Sequence, residues 1–391
     1  MNYPKYIRDA ISRIESNGES AFIVGGSLRD MLLGTAPHDY DIATSALPEK
    51  TSAIFSDAKV IKTGIQHGTV TVILEGNPIE ITTFRIDGSY TDSRHPDSVS
   101  FTSDIAADLS RRDFTVNAMA YSDSAGLIDI FGGREDIEKR IIRAVGDPDI
   151  RFTEDALRIM RAFRFSAQLG FDIESNTLAA TARTAHRLSS IARERIASEL
   201  LRLICSPSPT KPLIEMSELG IMPYVLGEYT PSPKILEAME KAPSTQSSRL
   251  ALLLAQADTQ SLSNILSSLK CSNKLSTATT AIVRGAKLCV KTEQDARKLI
   301  SITGIYAPDA ARISTLLGIS DDCAESLTLK QLNTPCSIRQ LDINGKELAA
   351  LGFTGKDIGN TLARLLENVI EEPKLNKKPI LIQIAQSMKN N

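Results

Sequence analysis

Apolar side chains recur at Ile7, Ile11 and Ile14 within residues 1–19, the spacing of one helical face, so an amphipathic helix is expected there. A short apolar run at Phe22, Ile23 and Val24 then breaks at Gly25-Gly26, and Leu28, Met31 and Leu32 mark a second helical face. Gly34 and Pro37 turn the chain into Asp39-Tyr40-Asp41-Ile42, read as a strand, and 48–55 suggests a short helix. Strands are expected at 59–62, 68–74 and 78–84, the last two rich in alternating β-branched residues. A polar, turn-rich connection covers 86–104. Beyond about residue 146 the period changes to that of helices. Thr153 is placed as an N-cap, with Glu154 and Asp155 in the first turn and Ala156, Leu157, Ile159, Met160 and Phe163 on the apolar side. Pro207, Pro209 and Pro212 punctuate the chain, and the rest reads as helical. The pattern predicts an α+β protein with a mixed-sheet head over 1–145. All-helical parts follow: a neck over 146–206, a body over 207–335 and a tail over 336–391.

Composition adds exclusions. With 391 residues the chain needs more than one core, and 42% hydrophobic with 24% charged residues is the balance of a soluble globular protein. No apolar run approaches the roughly 20 residues of a membrane span, and the first residues lack the pattern of a secretion signal. The five cysteines are scattered without a CxxC pair, which argues against a zinc site or a disulfide framework; a cytoplasmic setting is expected. A net charge of −2 does not advertise a nucleic-acid binder, although local patches can still hold phosphates.

Candidate chemistry concentrates in 22–44, FIVGGSLRDMLLGTAPHDYDIAT. Gly25 and Gly26 let the backbone approach a ligand at a helix start, Ser27 adds a hydroxyl and Arg29 a guanidinium, which together describe a phosphate cradle. Residues two apart in a strand point the same way, so Asp39 and Asp41 would present paired carboxylates, which repel unless a hard cation such as Mg²⁺ lies between them. Taken singly, a Gly-Gly is usually a turn and an Asp-x-Asp usually a solvated loop. In this order, the stretch resembles the nucleotidyltransferase motif of tRNA CCA-adding enzymes and bacterial poly(A) polymerases, in the DNA polymerase β superfamily. The resemblance implies a polymerase β-like head with Asp39 and Asp41 as catalytic metal ligands. Glu80 is either a third carboxylate beside them or an ordinary exposed strand residue, and His67 is read as structural.

Further motifs extend the resemblance. SRRDFTVNAMAY (110–121) offers guanidinium for phosphate and amide or carboxylate for ribose hydroxyls. Its match to the family's Arg-Arg-Asp-Phe-Thr-x-Asn-Ala pattern implies nucleotide-binding roles for Arg111, Asp113 and Asn117. LIDIFGGREDIEKRIIRAV (127–145) holds Gly132-Gly133, read as a hinge between head and neck or as a plain turn. The connection 86–104 resembles the flexible loop that CCA-adding relatives retain, with His95 where relatives often carry a second arginine.

DPDIRFTEDALRIMRAFRFSAQLGF (147–171) is the base-reading candidate. Asp155 and Arg158 are three apart, expected on one helix face, and the plain account is a surface ion pair. Their hydrogen-bonding inventories allow more. A carboxylate accepts from the cytosine N4 or adenine N6 amine, and a guanidinium donates to the neighbouring ring and carbonyl acceptors. Uracil and guanine put a carbonyl and an N–H in those places and are rejected. The run resembles the family's Glu-Asp-x-x-Arg-x-x-Arg motif, which implies Asp155 and Arg158 as selectors of CTP and ATP with Arg161 in support.

IARERIASELLRLICS (191–206) resembles the helix that braces this element in relatives, and 341–385 resembles the tail of CCA-adding enzymes of Gram-positive bacteria. There Lys356, Lys374, Lys377 and Lys378 are tRNA-binding candidates or a solvated basic face. The implied class II activity is addition of the 3′-terminal CCA to tRNA from CTP and ATP with Mg²⁺ and release of pyrophosphate, with no protein partner. The alternatives are an A-adding enzyme working beside a CC-adding one, a poly(A) polymerase, and a non-enzymatic tRNA-binding module.

Overall fold

The computed structural model describes residues 1–88 and 99–389, and the chain divides into two compact units, 1–228 and 229–391. The first unit opens with α1 (Lys5–Ser16), whose inner face buries Ile7, Ala10, Ile11 and Ile14 as the spacing predicts. β1 (Ala21–Val24) is buried throughout and runs directly into α2 (Gly25–Leu32). Next come β2 (Asp41–Thr44), α3 (Pro48–Ile54), β3 (Lys59–Ile61), β4 (Thr69–Leu74) and β5 (Asn77–Thr83). β6 (Arg85–Asp87) and β7 (Val99–Phe101) form an antiparallel ribbon, so both ends of the connection expected at 86–104 are strand. The rest of that loop, including His95, lies outside the described residues.

α4 (Ile105–Ser110), β8 (Ala120–Ser122), β9 (Gly126–Ile128), α5 (Gly133–Lys139) and β10 (Ile141–Ile142) complete the head. The main sheet has the order β3-β4-β5-β2-β1-β8-β9. Within it β2 and β5 run parallel, with Asp41 opposite Glu80, whereas its other neighbours are antiparallel. One face packs Phe22, Val24, Ala43, Phe84, Leu109 and Ala120 into an apolar layer. Asp41 points to the same side as Ala43, at the rim of that layer.

The expected strand at Asp39 begins only at Asp41, where pairing with β1 starts opposite Val24 and β1 turns into α2. Residues 38–40 pair with neither neighbour, although β5 extends to Asn77.

Two helices occupy the stretch read as one. Asp147 caps α6 (Pro148–Glu154), its carboxylate accepting from the Asp149 and Ile150 N–H groups, with Pro148 at the first helical position. Thr153 therefore sits in the last turn of α6 and caps nothing. Asp155 is extended (φ −136°, ψ 102°), and α7 (Leu157–Leu169) follows. β11 (Asp172–Ile173) pairs with β10, and α8 (Ser175–Thr184) and α9 (Arg193–Ile204) complete the neck. α9 lies along α7, joined by the buried Arg164–Glu199 pair at 2.5 Å.

The prolines at 207–212 do not end the unit. α10 (Thr210–Glu218) packs back on α7, and Arg193 donates to the carbonyls of Tyr224 and Val225 at the end of α11 (Met222–Leu226).

The second unit comprises α12 (Pro233–Glu237), α13 (Gln246–Leu253), α14 (Thr259–Ser268), α15 (Asn273–Gly285), α16 (Glu293–Thr303), α17 (Ala307–Leu316) and α18 (Ala324–Gln331). α19 (Gly345–Ala350), α20 (Lys356–Glu371) and α21 (Lys378–Lys389) enclose a separate small core around Leu348, Phe353, Leu365, Val369 and Leu381. The buried Arg297 of α16 ties that core on by donating to the carbonyls of Ile370 and Glu371 at the end of α20.

Gly132-Gly133 starts α5: Gly132 is left-handed with open space where a Cβ would stand, whereas Gly133 is closely packed. The Asp129 carboxylate accepts from the N–H groups of Gly133 and Arg134, and a Cβ on Gly133 would lie 2.2 Å from the Thr115 carbonyl oxygen. Gly133→Ala should therefore destabilise the protein by about 2 kcal/mol or more, since backbone cannot yield as a side-chain tip does. Denaturant unfolding measures this, and a variant as stable as the parent would show that α5 does not depend on that close approach.

Candidate active site

β1 delivers the chain to a cavity of about 540 Å³ in the first unit, walled by residues from the head and the neck. Gly25 opens the phosphate side. Its φ of +68° suits glycine, and a Cβ there would meet Arg112 Nη1 at 3.3 Å and Asp41 Oδ2 at 3.7 Å. Gly26 and Arg29 line the same wall. The guanidinium of Arg29 is buried and fixed, donating to Asp30 Oδ1 and, at 2.8 Å, to Asn117 Oδ1. Ser27 is buried with its hydroxyl donated to the Val24 carbonyl at 2.8 Å, so it steadies the strand-to-helix turn and stays outside the cavity wall.

Asp41 and Glu80 form the acidic end. Burial, then the Glu80 charge, pushes the Asp41 carboxyl above its usual range, with the Asp39 charge adding to this and Arg112 opposing it. A cation there would relieve both the desolvation and the repulsion, and an all-oxygen donor set suits a hard divalent ion. Asp39 stands apart from the wall, its side chain 81% exposed and 3.1 Å from His38 Nδ1. Among the described residues no three of His, Cys, Asp or Glu are gathered into a ready metal cage. The residues present thus fit a cation held by Asp41 and Glu80, with Asp39 as the adjacent third carboxylate.

The middle of the cavity is an ion-pair chain. Asp108, a buried residue of α4, accepts from both Arg111 and Arg112; burial opposes its ionisation, but the two guanidinium groups outweigh it and hold the carboxyl low. Asp113 is largely enclosed, its side chain 10% exposed. It accepts from the Asn117 amide at 3.2 Å and from Arg161 Nε and Nη2 at 2.8 and 2.5 Å. Desolvation is overcome by Arg161, and its pKa falls to about 2. The segment reaches α7 because 113–115 pairs with 143–145: Thr115 N–H donates to the Arg143 carbonyl, and Val145 N–H to that of Asp113.

Asp155 and Arg158 face the far end; the Arg158 N–H donates to the Asp155 carbonyl at 3.0 Å, but their side chains take other partners. Asp155 Oδ1 accepts from the Leu157 N–H and Oδ2 from Arg195 of α9, each at 3.0 Å. Arg158 donates to Glu154 at 2.8 Å and to the carbonyls of Arg111 and Arg151. The surface pair that would have been the plain account of these residues is absent.

The cavity gathers Gly25, Gly26, Arg29, Asp41, Glu80, Arg111, Asp113, Asn117, Asp155, Arg158 and Arg161, and leaves out Ser27 and Asp39. It also takes in Arg112, Arg164, Phe165 and Gln168, which the sequence reading did not single out. The last three continue the 158, 161 spacing along one face of α7, and that periodicity was the available signal. Arg29, Arg161 and Arg164 lie 5.3, 5.1 and 3.9 Å from the Phe165 ring centroid, an apolar plate ringed by positive charge. In the second unit Lys356, Lys374, Lys377 and Lys378 are all exposed, and Lys378 pairs with Glu347.

Residues 21–143 match the family model described as poly A polymerase head domain. Residues 170–239 match one described as a probable RNA and SrmB-binding site of polymerase A, and 242–385 match tRNA nucleotidyltransferase domain 2. The chain is 36% identical to the CCA-adding enzyme of Ligilactobacillus salivarius, over 99% of this chain and 98% of that one. The crystal structure of the Bacillus stearothermophilus CCA-adding enzyme in complex with CTP superposes with a TM-score of 0.84 at 31% identity, covering all of both chains. The Thermotoga maritima CCA-adding enzyme complexed with tRNA shares the fold (TM-score 0.71, 23% identity, 97% and 94% covered).

The Asp113 carboxylate carries a definite pH window. Its folded pKa of about 2 lies below the roughly 3.9 of an unfolded aspartate, so the unfolded chain takes up a proton first. Its stabilisation is therefore complete above about pH 5 and drains away as the pH falls towards 2. Asp113→Asn should cost about 2 kcal/mol at neutral pH and flatten the acid limb of stability against pH. Denaturant titrations from pH 7 downwards test this; an acid limb as steep as the parent's would remove Asp113 from the balance.

Proposed function

The chain belongs to the family of CCA-adding enzymes, the tRNA nucleotidyltransferases, and we infer that it builds the 3′-terminal CCA of tRNA from CTP and ATP, releasing pyrophosphate. The observation that carries this reading is the single cavity. A phosphate cradle at Gly25-Gly26, the carboxylates Asp41 and Glu80, and the base-edge groups Asp155 and Arg158 line one volume, although they come from stretches more than 100 residues apart in sequence.

In this reading the nucleotide lies with its triphosphate on the Gly25-Gly26 turn, where backbone N–H groups and Arg29, Arg111 and Arg112 offset its charge. Family members use divalent metal, and Mg²⁺ is proposed here, held by Asp41 and Glu80 with Asp39. When bound, it supplies positive charge at the attacking 3′-oxygen and the α-phosphate. The chain's own contribution is placement. Asp113, clamped by Arg161 and Asn117, sets the ribose side of the wall. Asp155 accepts the N4 or N6 amine, and Arg158 donates to the ring acceptor beside it. The tRNA 3′-hydroxyl then attacks the α-phosphate, and the bond to pyrophosphate breaks. Lys356, Lys374 and Lys377 are proposed as contacts for the tRNA backbone. The protein is proposed to work in the cytoplasm; among the described residues no helix is long and apolar enough to cross a membrane.

The test supplies purified protein with tRNA ending at the discriminator base or at CC, and each nucleotide alone and together. Stepwise addition of two C and one A is expected; growth of an A tail beyond one residue, or A addition alone, would replace this function with poly(A) or A-only synthesis. Asp41→Ala should abolish both C and A incorporation while CTP and ATP still bind, because both share the transfer step. Near-parental turnover in that variant would take Asp41 out of the metal site.

Asp155→Ala should lower the preference for CTP over UTP by roughly ten- to hundredfold, the loss of one discriminating hydrogen bond of about 1–3 kcal/mol. The ratio of kcat/KM values reads this directly, and an unchanged ratio would end the base-reading assignment.

A further inference from the structure

The polar face that carries Asp41 and Glu80 continues past them. Thr82 stands two residues along β5 from Glu80, on the same side of the sheet, and also lines the cavity. It lies opposite Ala43 of β2 on one flank and Thr69 of β4 on the other. Its hydroxyl meets that of Thr69 at 2.9 Å, and both residues are half-buried. Each hydroxyl carries a donor and acceptor lone pairs, so the pair still offers an O–H and several lone pairs after its mutual bond is made. The turn that leads into Thr69 carries an aromatic plate. Phe101 of β7 lies over Gly68, where a Cβ would stand 2.7 Å from the ring's Cε1. Arg85, its partner across the ribbon, donates to the His67 carbonyl at 2.8 Å and holds the ribbon on that turn. Phe101 nevertheless remains 41% exposed. A cross-strand threonine pair by itself is an ordinary sheet contact. This one has a metal-site carboxylate two residues from Thr82 and an open aromatic ring one residue from Thr69.

We propose that Thr82 and Thr69, with Phe101, form the seat of the terminal nucleotide of the tRNA, the hydroxyl pair taking its ribose 2′-OH and the ring its base. The inference rests on the reading of this cavity as a nucleotidyl-transfer site. Sheet order carries it. The Gly25-Gly26 turn, which holds the triphosphate in that reading and so the leaving pyrophosphate, follows β1. The carboxylates Asp41 and Glu80 come from β2 and β5, and the hydroxyls from β5 and β4, the next strands in order. In phosphoryl transfer the attacking and leaving oxygens lie roughly in line, on opposite sides of the phosphorus. With the leaving side at β1 and the carboxylates between, the attacking 3′-oxygen arrives from the β5–β4 side, where Thr82 and Thr69 stand. The 2′-OH beside that oxygen both donates and accepts, which matches the mixed capacity of the hydroxyl pair. The terminal base changes with each addition. Stacking tolerates the change, because every base has a π-face.

The experiment gives the full-length protein ATP and either of two CC-ended tRNAs, one of them with a 2′-deoxy terminal residue whose 3′-hydroxyl can still attack. The parent should use the ribose-ended tRNA about three- to tenfold better in kcat/KM, the worth of one neutral hydrogen bond. Thr82→Val keeps the β-branched shape and removes the hydroxyl. It should lower kcat/KM for the ribose-ended tRNA by about that factor and leave the deoxy-ended one near the parent, so the ratio approaches one. Thr82→Ser, which keeps the hydroxyl, should retain the ratio, and Thr82→Ala replaces the Val variant should that one not fold. Phe101→Leu should weaken binding of either tRNA, measured without nucleotide, by about tenfold, whereas Phe101→Tyr should bind as the parent does. A parent that uses both tRNAs equally overturns the seat. So does a Thr82→Val variant that slows both equally, the behaviour of an ordinary sheet contact. Parental tRNA binding in Phe101→Leu overturns the role of the ring. A parent that adds nothing to either tRNA would bring down the proposed function itself, and the seat with it.

Discussion

The enclosed Asp113–Arg161 pair is the contact on which the site depends. It joins the head segment after α4 to α7, with both guanidinium contacts landing on one carboxylate oxygen and Asn117 occupying the other. A buried ion pair contributes little net stability when the cost of desolvating both partners is counted. Removing one partner is a different matter, because the other is left as an uncompensated charge in a partly shielded place, where Asp113 is 10% and Arg161 31% exposed. The pair therefore acts as a registration device. It brings the Gly25-Gly26 turn and the start of α7 to the two sides of one cavity, and through Arg29 on Asn117 it ties α2 into the same network.

Around that joint the charges are arranged in opposition. Six arginines from the head and from α7 line the wall, whereas Asp41 and Glu80 crowd one end on adjacent parallel strands. The acidic end is unfavourable as it stands, since burial at the edge of the apolar layer raises Asp41 and Glu80 adds to it. A polyanion carrying a divalent cation resolves both halves together: its phosphates meet the guanidinium groups, and its cation meets the carboxylates. The groups proposed to read the base sit elsewhere, at the link between α6 and α7. There a carboxylate and a guanidinium are each braced by separate neighbours and kept from neutralising each other.

Much of this was legible in the sequence. Periodicity located α1, strands β2 to β5 and the change to helices in the neck, because burying one face is a local requirement that repeats every two or every three to four residues. Motif order located the residues that line the cavity, since side-chain chemistry is a property of residue type: Gly25, Asp41, Arg111, Asp113, Asn117, Asp155 and Arg158 all face it.

What tertiary structure decided was partnership. Asp39 is left outside β2, whose pairing with β1 starts only at Asp41 opposite Val24. Whether Ser27 is free to meet a ligand depends on the Val24 carbonyl, which takes its hydroxyl. Whether position 133 can carry a side chain depends on the Thr115 carbonyl, which leaves no room for a Cβ there. Asp155 and Arg158, three apart, have the spacing of an ion pair, yet the chain breaks between α6 and α7 and gives one to Arg195 and the other to Glu154. The sequence by itself determined which groups this protein has to work with and roughly which element carries each. Only the fold decided which hydrogen bonds those groups had already spent, because a side chain's partner is set by packing between segments distant in sequence, and local pattern carries no record of it.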